Sequence, residues 1–371
     1  MIKKILKFNQ SPDYFLLSLI LILTIFGLII LASASSSIAQ IKFGDSFYYL
    51  KRQIIYGLLP GILCFIFAYF FPYKYYKKII FGLLLFNIFL LILVKFSPWG
   101  VNFGGSSRWL KVGPIIFQPS EFLKITYIIY IAAWLSNVKN NRITDFQNGF
   151  IPFLIISGTI GFLLYIQPAT SIIIILLLSG SILYFISGAK LKYFVLLFFL
   201  GIIGFSILFL FDSGYRFARI KNFINPSDVY GGAYQSTQAL ITIGSGGLTG
   251  FGFGKSTTKA RTLPEPLGDS IFAVASQELG FIGAGSLVLL LAFLVIRLFV
   301  LALKSKDRFG QLILCGFALI FGLQSIIHIA VLIKLFPITG IPLPFVSYGG
   351  TFLTVVLFMS GTALNISKKI I

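Results

Sequence analysis

The chain has 371 residues, 57% of them hydrophobic and only 11% charged, with a mean hydropathy of +0.97. Soluble domains carry about 25% charged residues, so a soluble fold is excluded and an all-α polytopic membrane protein is expected. The net charge of +20 does not indicate nucleic acid as a partner, because Lys and Arg punctuate apolar runs instead of covering one soluble face.

A span needs about 20 apolar residues, and ten such runs are predicted: 13–34, 53–72, 78–96, 118–136, 149–166, 169–187, 191–211, 270–300, 309–333 and 345–366. The segment Met1–Gln10 is short and basic, and the run after it is too long for a signal-peptide core, so it is read as a retained first span. With the N-terminus cytoplasmic, sixteen of the 30 basic residues fall on inside segments and seven on the short outside ones. This bias predicts both termini in the cytoplasm. The chain is then one integral membrane domain, 1–371, with a long extracytoplasmic loop at 212–269 between the seventh and eighth spans. His328, the single histidine, and the cysteines Cys64 and Cys315 lie in apolar runs. They cannot build a Cys/His cluster, which removes the zinc hydrolases.

Acid is scarce. The chain has 10 Asp and Glu, and three of them, Glu265, Asp269 and Glu278, fall between Arg261 and Gly280. That stretch leads from a Gly-rich polar loop into an apolar helix, where a carboxylate is costly to keep and marks a functional site. The long loop itself carries Arg216 and Arg219, then Gly231-Gly-Ala-Tyr-Gln235-Ser-Thr-Gln238, then Gly252-Phe-Gly254-Lys255-Ser-Thr. It is expected to fold back over a cavity. The last run is not a nucleotide loop, because the Gly needed five residues before Gly254 is Thr249; its backbone N–H groups remain available for another anion.

The fourth span opens Gln118-Pro-Ser-Glu121-Phe-Leu-Lys124, with an i,i+3 pair that either supports a site or caps a helix. Just before it, Arg108 beside Trp109 reads equally as an interfacial anchor or as a contact for an anionic headgroup. The last outside loop, Phe336-Pro-Ile-Thr-Gly-Ile-Pro342-Leu-Pro344-Phe-Val-Ser347-Tyr-Gly-Gly350, is too rich in Pro and Gly to be helical. Irregular backbone near membrane depth must line a cavity or lie under protein. The outside face thus gathers carboxylates (Glu121, Glu265, Asp269) among cations (Arg108, Lys124, Arg216, Arg219, Lys255, Arg261), with Gln235 and Ser347 as polar groups. Such a face suits a polyanionic, lipid-linked substrate: cations hold phosphate and a carboxylate takes a hydroxyl proton.

Gly105-Ser-Ser-Arg-Trp109, Gln118-Pro-Ser-Glu-Phe-Leu-Lys124, the Gly-rich loop, Leu263-Pro-Glu-Pro-Leu-Gly-Asp-Ser-Ile-Phe-Ala-Val274 and Leu343-Pro-Phe-Val-Ser-Tyr-Gly-Gly350 resemble, in order, the motifs of the SEDS family (shape, elongation, division and sporulation). The likeness runs from about Ser33 to Asn365, and Phe43–Gln53 looks more like the division branch. The resemblance implies ten helices and a peptidoglycan glycosyltransferase that polymerises lipid II on the outer side of the bacterial cytoplasmic membrane. It also implies a class B penicillin-binding protein (a transpeptidase) as partner, within the divisome or elongasome. Asp269 would be the catalytic base, undecaprenyl pyrophosphate the leaving group, and Arg108, Glu121 and Lys124 supporting residues. A divalent cation, Mg or Mn, can bridge pyrophosphate and carboxylate, although no dedicated cage is visible. Two departures from the family pattern stand out: Ala169 where Asp is usual, and Gln277 in place of the first of two Glu residues. A lipid flippase or transporter and a non-catalytic scaffold for the transpeptidase are the competing readings.

Overall fold

In lipid, each backbone polar group must find its partner within the protein, and the chain meets that demand with helices. The structure, a computed structural model, describes residues 11–103, 106–113, 115–137, 143–211, 223, 234–256 and 262–370. In chain order the elements are α1 (Tyr14–Phe43), α2 (Tyr48–Phe70) and α3 (Tyr73–Phe96). Then come strands β1 (Gly100–Phe103), β2 (Ser106–Val112) and β3 (Ile115–Phe117). Helices α4 (Pro119–Asn137), α5 (Phe146–Ile166), α6 (Thr170–Ile186), α7 (Leu191–Phe211) and α8 (Tyr234–Ser245) follow. The chain closes with α9 (Ile271–Lys304), α10 (Arg308–Leu332) and α11 (Gly350–Ser367).

Seven of these helices, α1, α2, α3, α5, α9, α10 and α11, are long and apolar enough to cross a membrane. The chain is therefore a multi-pass helical membrane protein. Helix α6 is shorter, and α4 carries Glu121 and Lys124 in its first two turns.

Burial separates centre from rim. In α10 and α11 the most apolar stretches are 72% and 83% buried, against 22% in α2 and 28% in α3. Helix α10 packs against α4, α6, α8, α9 and α11, and so forms the axis of the bundle. The rim helices turn Phe67, Phe81, Phe86 and Phe89 outward, as surfaces bathed by acyl chains require. Helix α2 meets α11 backbone to backbone. A Cβ on Gly361 would lie 2.5 Å from the Phe65 carbonyl oxygen, so the small residue sets the approach.

Helix α9 is broken. Gly280 stands at φ 68°, ψ −169° between two helical stretches. The stretch after the break, Phe281–Lys304, is about 36 Å long at 1.5 Å per residue, enough to cross the hydrocarbon core unaided. The break strands backbone groups, and the Gly-rich segment after α8 takes them up. Phe251 N–H donates to the Gln277 carbonyl at 3.0 Å and Gly252 N–H to the Glu278 carbonyl at 2.9 Å. In return, Phe281 and Ile282 donate to the carbonyls of Gly247 and Leu248 at 2.8 and 3.1 Å. A Cβ at Gly250 would sit 2.3 Å from the Glu278 carbonyl oxygen. The N–H groups of Gly250, Phe251, Gly252 and Gly254, which the sequence offers to an anion, have partners within the protein.

The end of the bundle that carries the termini is laced by polar side chains. Asp13 caps α1 through Leu16 N–H at 2.7 Å, receives the Arg297 guanidinium, and donates its own N–H to Ser367 at 3.1 Å. The Tyr73 hydroxyl donates to Asp307 at 2.9 Å, and Asn365 accepts from Tyr73 N–H at 3.1 Å. At the opposite end, β1, β2 and β3 form a three-stranded antiparallel sheet in that order, where the sequence suggests only a loop.

Gly280→Ala should lower the unfolding midpoint of the detergent-solubilised protein, at a cost of about 1–3 kcal/mol for a non-Gly residue in this conformation. A Cβ at Gly280 would also meet Gly250 N at 2.3 Å. Gly285→Ala, with nothing within 4 Å of the added carbon, should leave the midpoint unchanged or raise it.

Candidate functional site

The turn from Leu263 to Ser270 delivers Asp269 to the head of α9. Glu265 adopts φ 45°, which reverses the chain so that its carbonyl accepts from Gly268 and Ser270 N–H at 3.3 and 3.0 Å. The Ser270 hydroxyl donates to the Pro264 carbonyl at 2.8 Å and closes the turn. The last loop then pins it. Ser347 donates to the Gly268 carbonyl at 2.9 Å, and Tyr348 N–H donates to the Leu267 carbonyl at 2.9 Å. Burial pushes the Tyr348 phenol above its ordinary pKa, so it is neutral.

Asp269 is half-buried and lines a small cavity with Gln235 and Ser236 of α8, His328 and Leu332 of α10, and Ile338–Ile341 of the last loop. The cavity measures about 10 Å³, room for about one water-sized group. Gly340, at φ 65°, brings backbone against the acid: a Cβ there would lie 3.1 Å from Asp269 Oδ2. Helix α8 is held over the site by Lys334, whose amine donates to the Thr237 hydroxyl at 2.9 Å. The carboxylate also stands just ahead of the N-terminus of α9, a favourable place for an anion.

The sequence-predicted residues distribute as follows. Gln235 joins Asp269 in the cavity, with its amide 3.5 Å from the Ser270 hydroxyl. Ser347 is buried, donates to Gly268 and accepts from Leu343 N–H at 2.8 Å, so it shapes the turn. Glu265 and Lys255 are exposed. Arg216, Arg219 and Arg261 lie outside the described residues.

Arg108, on β2, donates to the carbonyls of Gln167 and Pro168, where the chain breaks between α5 and α6. Ser171, in the first turn of α6, donates to the Thr339 carbonyl and ties that break to the cavity loop. Ala169, buried at the cap of α6, supplies no capping side chain.

Glu121 and Lys124 form a pair on α4, with side chains 5% and 1% exposed and Nζ 2.6 Å from Oε2. The contact is an ion pair between two buried groups. The Lys124 amine also lies 4.8 Å from the Phe352 ring centre at the start of α11. The pair thus bridges α4 to α11 beneath the last loop. The sequence reading overlooked Ser236, His328 and Thr339. A lone histidine in an apolar run looks like packing until the fold shows it lining the same cavity as the acid.

A second cavity of about 550 Å³ lies toward the terminal end, lined by Ser136, Thr144, Ser187 and Arg308 among others. No acid is among its lining residues, and it is remote from Asp269 in the fold. Among the described residues no three His, Cys, Asp or Glu side chains gather as a metal site.

The fold and site define a class: a multi-pass helical bundle that sets one acid in a small cavity between helix ends and a loop. The chain belongs to the FtsW/RodA/SpoVE family of cell cycle proteins, whose family model matches residues 14–370. It is 38% identical over 364 residues to stage V sporulation protein E of Bacillus subtilis (strain 168), covering 97% of this chain and 98% of that one. It is 34% identical over 361 residues to a probable peptidoglycan glycosyltransferase FtsW of Geobacter sp. (strain M18), again covering 97% and 98%. The fold matches a chain solved in a peptidoglycan synthase complex that coordinates polymerization and crosslinking. The TM-score is 0.81 and the identity 24%, over 97% of this chain and 98% of that one.

Lys124→Met should destabilise the protein by about 3–5 kcal/mol, because it leaves a buried carboxylate without its counter-charge. The double variant Glu121→Gln, Lys124→Met should recover part of that loss. Thermal unfolding of the four proteins in one double-mutant cycle measures both.

Proposed function

We propose that the chain is a peptidoglycan glycosyltransferase that polymerises lipid II into glycan strands. The observation that carries this reading is the half-buried Asp269, set by a pinned turn in a cavity shared with Gln235 and the last loop. The names of the relatives, a probable peptidoglycan glycosyltransferase among them, support the substrate class.

In this reading the Asp269 carboxylate accepts the proton of the acceptor sugar's 4-hydroxyl as that oxygen bonds to the donor's anomeric carbon. The anomeric carbon–oxygen bond to phosphate breaks, and undecaprenyl pyrophosphate leaves with the electron pair. Arg216, Arg219, Lys255 and Arg261 offer positive charge to the departing diphosphate. Arg108 holds the carbonyls behind the cavity loop, and the Glu121–Lys124 pair keeps α4 and α11 in register below it. A bound Mg or Mn would supply charge neutralisation at the phosphate oxygens. No three-residue cage gathers among the described residues, so its ligands would come mainly from substrate and water.

The Lys and Arg bias supports ten spans with both termini cytoplasmic. The cavity then opens on the outer side of a bacterial inner membrane, where the substrate's saccharide lies. The solved complex to which the fold is similar couples polymerization with crosslinking. We infer the corresponding partner here to be a class B penicillin-binding protein of the division or elongation machinery.

Asp269→Asn should cut lipid II polymerisation by about 100-fold or more, the usual size of a general-base contribution, and leave thermal unfolding unchanged. Gel-resolved glycan products from fluorescent lipid II check this. Wild-type product from the variant would remove Asp269 as base, and lipid II movement across vesicles without polymer would favour transport.

A further inference from the structure

His328 is the only histidine of the chain, and it is 2% exposed. Its Nδ1 lies 2.6 Å from the Ile341 carbonyl oxygen. A carbonyl can only accept, so Nδ1 carries the hydrogen and Nε2 presents a lone pair. That Nε2 is buried and without a hydrogen-bond partner, and the ring lines the cavity that holds Asp269. The hydroxyl of Thr339, in the same lining, is likewise buried and unpartnered. Leaving a buried polar atom unsatisfied is costly, and two of them in the cavity of a candidate base point to a ligand that completes them.

The cavity fixes the size of that ligand group. Its volume of about 10 Å³ admits one water-sized group, which matches a single hydroxyl. The loop residue that orients the ring, Ile341, directly follows Gly340, which abuts Asp269 Oδ2. Imidazole and acid thus stand against consecutive residues of one loop and line the same cavity.

We propose that His328 is a specificity-determining residue: its Nε2 accepts a hydrogen bond from the 3- or 6-hydroxyl of the acceptor sugar, with Thr339 as second partner. This inference rests on the glycosyltransferase reading for the identity of the sugar. His328 takes no proton in the reaction. It orients the ring so that the neighbouring 4-hydroxyl faces Asp269.

The test uses the full chain in nanodiscs, native lipid II, and lipid II analogues lacking either the 3- or the 6-hydroxyl of the N-acetylglucosamine. Equilibrium binding and polymerisation are measured in parallel. Wild type should bind one of the two analogues about tenfold more weakly than native substrate, the scale of one lost neutral hydrogen bond. His328→Asn retains an amide donor for the Ile341 carbonyl but has nothing at the place of Nε2. It should bind native substrate about tenfold more weakly, bind that analogue as wild type does, and unfold at the wild-type temperature. His328→Gln, which returns an acceptor near Nε2, should restore part of the discrimination. The proposal is overturned if wild type binds both analogues as tightly as native substrate, or if His328→Asn discriminates as wild type does. Binding with this pattern but no polymer would sink the glycosyltransferase reading and leave only the contact of His328 with a sugar hydroxyl standing.

Discussion

The interruption of α9 at Gly280 is the constraint on which the half of the molecule that carries Asp269 depends. A helix broken near a membrane exposes carbonyl and N–H groups that lipid cannot satisfy. Here the segment Gly246–Gly254 lies against the break and exchanges backbone hydrogen bonds with Gln277, Glu278, Phe281 and Ile282. A second layer surrounds the seam. Ser33 donates to Glu278 and accepts from Gly254 N–H at 2.7 Å, while the Gln277 amide donates to Ser245 at 2.9 Å. Glu278 is thus part of the repair of α9, and α1 is drawn into it. Because α8 leads directly into this segment, the seam also fixes where Gln235 and Ser236 stand relative to Asp269.

The cavity is made by convergence of three stretches far apart in sequence: the α8 region, the turn before α9, and the loop after α10. None is anchored by apolar packing alone. The turn is held by Ser347 and Tyr348, the loop by His328 and Ser171, and α8 by Lys334. Hydrogen bonds of this kind, mostly side chain to backbone, set directions as well as distances. That is what a site must have if one carboxylate oxygen is to meet one hydroxyl.

Much of this was legible in the residues. Composition identifies the class of protein, and the apolar runs locate the helices to within several residues, as with 118–136 for Pro119–Asn137. The concentration of acid between Glu265 and Glu278 marks the turn that carries Asp269, and the Pro- and Gly-rich stretch after Leu332 does line the cavity. Other features were hidden for physical reasons. The break in α9 leaves little trace, since one Gly in an apolar run is ordinary. The sheet at 100–117 is too short for alternation to register against turn-rich flanks. Ser347 looks like a ligand group by type, yet in the fold its hydroxyl is taken up by backbone. Arg108 attracts attention as a cation and turns out to hold the carbonyls of Gln167 and Pro168.

The lacing at the terminal end has a mechanical consequence. Asp13 joins α1, α9 and α11 at one level, and Tyr73, Asp307 and Asn365 join α3, α10 and α11 beside it. With one end of the staves riveted, any opening of the bundle is confined to the other. A crevice that fits one hydroxyl can then widen for a whole disaccharide by small pivots about the riveted end, since lateral travel grows with height along a stave about 36 Å long.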